Sequence, residues 1–292
     1  MKTRCLAISV SWVAVLIVCW PAVRAVADLS MRDERYVQIV VGPVLCLFLL
    51  VWERNRIFAV AAWSGAGMPL LSLALSMYFV FLRRPSYAIE DVRFPLAVLS
   101  VIVAWVAVFI VCCGVRGFRA ACFPLCCLLL AIPVPASLMD KLTAGLQHGS
   151  AAVSCQMLRL AGVPVFAEGM RMLLPGLEID VAPECSGIHS LLALALVALL
   201  AGRLCLRYRW SRLALVVSTI PIAIFKNGVR ISAIAWLGAY VNRAFLYGPI
   251  HHYGGLVFTP LGVALLVALL VTLQRSEAWN RPNFELAPDG KL

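Results

Sequence analysis

The residues best suited to chemistry lie in three short fragments. APECSGIHS (Ala182 to Ser190) puts a thiol beside a serine and a glycine, where a polar segment turns into a long apolar one. KNGVRISA (Lys226 to Ala233) supplies an arginine, and IHHYGGLVF (Ile250 to Phe258) supplies two histidines, at similar boundaries. The spacing predicts that Cys185 stands in the first turn of a helix, with Pro183 and Ser186-Gly187 as its start. A helix N-terminus stabilises negative charge, and the thiolate is the reactive form of cysteine. Arg230 follows Asn227 in an N-x-x-R arrangement; near the end of a span its fork of donors could bind a carboxylate or hold an oxyanion. His251 or His252 beside a cysteine would serve as base and later as acid. His189, four residues after Cys185, competes for that role, whereas His148 reads as solvated.

Each residue also has a plainer reading. Cys46, Cys112, Cys113, Cys122, Cys126 and Cys127 lie inside apolar runs, where a free cysteine behaves as a small hydrophobe; Cys185 differs in having polar neighbours. An arginine near the end of a span can simply snorkel, and a boundary histidine is often inert. No pair of C-x-x-C units occurs, which argues against a zinc site.

The composition says what must hold these fragments. Of 292 residues, 63% are hydrophobic and 13% charged, and the mean hydropathy is +0.94. Soluble domains average roughly 45–50% apolar and about 25% charged, so this is a polytopic membrane protein. The net charge of +11 is spread in short arginine clusters between apolar runs. That pattern orients a chain in a bilayer and is unlike the basic runs that bind nucleic acid.

Apolar runs of span-like character lie at about residues 5–23, 37–52, 57–82, 94–115, 121–136, 188–202, 213–230 and 254–273. The first is a retained helix or a signal peptide with Ala25-Val26-Ala27 as its cleavage site. Residues 137–160 alternate Leu138, Leu142, Leu146, Val153, Met157 and Leu160 with Asp140, Lys141, Gln147, His148 and Arg159. This predicts an amphipathic helix along the membrane surface. Residues 162–180 predict a β-hairpin. The fold class is therefore an all-α polytopic membrane protein of about eight spans, with a small extracytoplasmic amphipathic helix and hairpin ahead of the cysteine. Its parts are N-terminal helices (1–124), a catalytic core (125–274) and a cytoplasmic tail (275–292).

Lys2/Arg4, Arg54/Arg56, Arg116/Arg119 and the Arg203–Arg212 cluster fall on one side, the cytoplasmic one by the positive-inside rule. Cys185 then faces the exterior. Residues 231–247 decide where the histidines go: crossing the membrane would carry them inside, whereas folding back, as a partly embedded hairpin or surface helix, leaves them outside with Cys185 and Arg230. The second arrangement is expected.

Together these pieces resemble the exosortase/archaeosortase family of membrane transpeptidases. The resemblance rests on the A-x-x-C-S-G-I element at Ala182 to Ile188, on N-x-x-R at Asn227 to Arg230, and on a histidine followed by glycines opening the last helix. It covers residues 125–273 well and the N-terminal spans only in kind. It implies Cys185 as nucleophile, completed by Arg230 and His251; Gly255 stands four residues after His251, and His252 is the runner-up. Asn227, Ser186, His189 and Glu184 would support the site. Glu184 departs from the family, in which a small residue commonly precedes the cysteine; an acid there opposes thiolate formation or recognises a basic part of the substrate.

The resemblance further implies a protease or transpeptidase of the inner membrane with its site on the extracytoplasmic face. It would cleave the C-terminal, PEP-CTERM-like sorting signals of exported proteins, each signal comprising a short motif, a transmembrane helix and a basic end. It would pass the acyl group to an acceptor, with no cofactor, no metal and no nucleic acid. The competing readings are a transporter, with Arg230 and the histidines lining a polar path, and a subunit of a polysaccharide-export machine. No internal repeat supports the first.

Overall fold

The computed structural model describes residues 2–36, 38–82, 93–175, 177–181, 186–246 and 249–279, without the side chains of residues 249–256. Cys185 and Glu184 lie outside the described residues, as do the side chains of His251 and His252. The chain forms an all-α polytopic membrane protein in two compact units, Met1–Asp140 and Lys141–Leu292. Among the described residues, four helices are long and apolar enough to cross a membrane, or up to six if each of two bent pairs counts as one span.

In the first unit, α1 (Lys2–Val18) and α2 (Trp20–Arg32) meet at an 83° bend. The apolar run at residues 5–23 is thus broken at Cys19. The axis turns where Trp20, Arg24 and Arg32 begin to alternate with apolar positions, so α2 is the amphipathic piece. A 3-10 turn, Glu34–Tyr36, leads to α3 (Gln38–Trp52). Within that turn Arg35 bonds Asp33 at 2.8 Å and Asp140 at 2.9 Å, and the bond to Asp33 holds its guanidinium above the usual arginine range.

The run at residues 57–82 is also interrupted. It forms α4 (Arg54–Ala59), an extended stretch, and α5 (Gly67–Leu82). The physical reason lies in the next helix, α6 (Arg93–Ala120), which breaks at Gly114 with φ 71°. There the N–H groups of Ala62 and Ser64 donate to the carbonyls of Cys113 (3.1 Å) and Val111 (3.0 Å). An irregular backbone in an apolar setting must find such partners. A short helix α7 (Cys122–Cys126) and a 3-10 turn (Cys127–Ala131) follow. The unit division falls inside α8 (Ala136–Leu160).

The second unit begins with most of α8. Three strands then form an antiparallel meander: β1 (Phe166–Glu168), β2 (Arg171–Leu174) and β3 (Leu177–Asp180). Then come α9 (Ile188–Cys205), α10 (Arg209–Val217), α11 (Thr219–Tyr240), a 3-10 turn (Arg243–Leu246) and α12 (Pro249–Trp279). Two apolar cores organise this unit. One joins β2 and Val181 to Ala151, Cys155 and Leu158 of α8 and to Ile231 and Ala235 of α11. The other joins Leu194 and Ala198 of α9, Leu215 of α10, Ala223 of α11 and Leu266 of α12.

Named contacts fix the helix directions. A Cβ at Gly202 would meet Arg212 at 3.6 Å, and Ser190 bonds Lys226, so α9 runs antiparallel to α10–α11. A Cβ at Gly262 would meet Leu194 at 3.3 Å, and Glu277 accepts the N–H groups of Arg207 and Tyr208 at 2.8 and 3.1 Å. α12 therefore runs parallel to α9. The first turns of α9 and α12 lie at one end of this bundle, and the arginine-rich end of α9 lies at the other.

Candidate active site

The second unit buries a polar layer between its two apolar cores. α11 carries Lys226, Asn227 and Arg230 at 1%, 0% and 8% exposure, flanked by Ala223 of one core and Ile231 of the other. Residues 226 and 230 lie one turn apart on one face. Burying charge this deeply in an apolar helix is costly and marks function.

Three hydrogen bonds tie the layer to other elements. Lys226 Nζ donates to Ser190 Oγ at 2.5 Å, in the first turn of α9. Asn227 Nδ2 donates to Ser150 Oγ of α8 at 3.1 Å. Gln147 Nε2, also on α8, donates to the carbonyl of Val181 at 2.7 Å. The close approach of α8 and α11 depends on small residues: a Cβ at Gly228 would stand 2.6 Å from Val153 Cγ1, and one at Gly149 3.1 Å from Ile224 Cδ1.

The fragment around the cysteine meets this layer directly. Gly187, the N-cap of α9, has φ 80°, in the left-handed region that favours glycine. A Cβ there would also lie 3.1 Å from Asn227 Cγ. Ser186 is buried at 1%, and its Oγ accepts the N–H of Ile188 at 3.4 Å. α9 starts at Ile188, and the expectation that Cys185 stands in a first helical turn falls outside the described residues.

Gly187 lies against Asn227 at the end of the bundle where α9 begins, and Arg230 stands three residues further along α11. Ser186, Asn227 and Arg230 are each buried. His189 is exposed, on the far side of the first turn of α9 from buried Ile188. The parallel run of α12 brings its first turns, with the backbone of His251 and His252, to the same end.

Two expectations need correction. α11 does not fold back after Arg230. It continues unbroken to Tyr240, and the span Arg209–Tyr240 counts 32 residues, about 48 Å at 1.5 Å per residue. α10 and α11 together therefore return the chain to the end of the bundle where α9 begins, so neither a second crossing nor a re-entrant hairpin is needed. In the amphipathic reading of α8, Asp140, Lys141, His148 and Arg159 are exposed as expected, whereas Gln147 is buried and Leu138, Leu142 and Leu160 are exposed. A second polar stripe, Thr143, Gln147, Ser150 and Ser154, is buried. Within it Gln147 bonds Val181 and Ser150 bonds Asn227.

Lys226, Gln147, Ser150 and Ser190 did not stand out in the sequence as site residues. The signals were present: a lysine inside an apolar helix, and polar residues at 143, 147, 150 and 154 that recur at helical spacing on one face.

A family model described as transmembrane exosortase matches residues 29–269. No curated protein and no solved structure matches the chain.

Proposed function

The chain belongs to the transmembrane exosortase family, and from that premise we propose that it is a cysteine-dependent membrane protease or transpeptidase. It cleaves the C-terminal sorting signals of exported proteins and transfers the acyl group to an acceptor. The observation that carries this reading is the buried Asn227–Arg230 pair of α11, with Gly187 of the cysteine fragment lying against Asn227. A buried arginine suits the negative charge that forms during acyl transfer.

In the mechanism, the Cys185 thiolate attacks the scissile carbonyl and a tetrahedral oxyanion forms. Arg230 stabilises that charge through its N–H donors. His251, or its neighbour His252, protonates the leaving amine as the C–N bond breaks, which leaves a thioester on Cys185. The same imidazole then takes a proton from the acceptor, which attacks the thioester and frees the thiolate. Substrates carry a short motif, one apolar helix and a basic end, and the site opens to the extracytoplasmic face of the inner membrane. Eight spans, with residues 275–292 as a cytoplasmic tail, fit this orientation.

The test is processing of a reporter built from an exported protein of the same genome that ends in such a signal. Cys185→Ala is expected to abolish processing at an unchanged membrane level. Retained processing would refute the enzyme. A transporter reading gains support from the mid-helix burial of Lys226 and Arg230, and it predicts a transport activity that persists in Cys185→Ala.

A further inference from the structure

Resting on that reading of Cys185 as nucleophile, we propose that Lys226 and Gln147 are positioning residues that pin the cysteine segment at both ends. Upstream, Gln147 of α8 holds the carbonyl of Val181 at 2.7 Å and is itself 5% exposed. Downstream, Lys226 of α11 holds Ser190 Oγ at 2.5 Å and is 1% exposed. The eight residues between these anchors contain Ala182 to Cys185 and the left-handed turn at Gly187. Two buried side-chain donors from two different helices thus hold the described residues on either side of the cysteine, Val181 and Ser190.

Lys226 also joins a third helix. Its stem lies against Gly262 of α12, where a Cβ would meet Lys226 Cδ at 3.4 Å and Leu194 Cδ1 at 3.3 Å. The lysine therefore stands where α9, α11 and α12 meet, and these helices carry or adjoin the cysteine, the arginine and the histidines. Reaching from α11 past α12 to Ser190 takes a long stem, and donating to a hydroxyl takes a terminal N–H; lysine supplies both. Misplacing reacting groups by about 1 Å costs roughly 10²-fold in rate, so the pins act on turnover more than on substrate binding.

The experiment compares full-length wild type, Lys226→Met, Gln147→Leu, Ser190→Ala and Ser190→Thr in proteoliposomes. Hydrogen exchange is followed over residues 181–190, and kcat and KM are measured on the sorting-signal reporter. We expect Lys226→Met, Gln147→Leu and Ser190→Ala each to lose exchange protection in that segment alone. Each should lower kcat by roughly 10²-fold with little change in KM. Ser190→Thr, which keeps the hydroxyl, should restore both. Should Lys226→Met fail to fold, the Ser190 pair carries the test. Unchanged protection and kcat would overturn the proposal, as would protection lost throughout the second unit without rescue by threonine. Processing that persists in Cys185→Ala would instead overturn the nucleophile, and the exchange data would still report whether the segment is pinned.

Discussion

Arg230 and Asn227 are the residues on which the proposed chemistry leans most. Arg230→Lys keeps a charge but loses the planar fork. It is expected to lower kcat by roughly 10²-fold, the scale of removing one oxyanion donor, at normal membrane abundance; activity within a fewfold of wild type would show that Arg230 serves only as a charge. Asn227→Ala leaves Ser150 without its partner and should destabilise by about 1–3 kcal/mol, measurable as a lower Tm in detergent. Much of this was legible in the sequence. A cysteine with polar neighbours and an arginine three residues after an asparagine announce themselves by type and spacing. The partners did not, because Ser150 stands 77 residues from Asn227 and Ser190 stands 36 from Lys226, and no local pattern encodes a pairing at that distance.

At the level of elements, the crossing of α8 and α11 decides whether the polar layer closes. Gly228→Ala would drive a Cβ into Val153 at 2.6 Å, and overpacking of this kind costs about 1–3 kcal/mol. Gly145 on the same α8 helix has open space around its Cα, so Gly145→Ala should instead gain up to about 1 kcal/mol from helix propensity. Opposite shifts in Tm for these two substitutions are the expected result, and equal losses would show that the crossing is not the sensitive point. The long helices could be read from apolar runs alone. The breaks at Cys19 and Gly114 could not, because they depend on what the backbone meets: the open carbonyls of Val111 and Cys113 are satisfied by an extended stretch some 50 residues earlier in the chain. The inward polar stripe of α8 was hidden for a similar reason, since a polar face reads as wet until a buried partner is known.

For the molecule as a whole, orientation follows from the bundle. α9 runs from Ser186 to the arginine cluster that begins at Arg203, and α12 runs beside it in the same direction. Exposed Val257, Val263, Val267 and Val271 along α12 suit contact with hydrocarbon. In the proposed orientation, which follows the positive-inside rule, the Arg203–Arg212 end faces the cytoplasm and the polar layer lies toward the opposite face. Topology reporters fused after Arg212 should read cytoplasmic, and those inserted at Gly162 should read external; the reverse would turn the site inward and remove exported proteins as substrates.

The most direct measurement is capture of the acyl group on the chain. With the sorting-signal reporter and no acceptor added, the wild-type enzyme, quenched in acid, should stall after the C–N bond breaks. A hydroxylamine-sensitive thioester should then be found on the peptide containing Cys185, and it should be absent from Cys185→Ala. Cleaved reporter from Cys185→Ala, or an acyl group found on a different residue, would contradict the account.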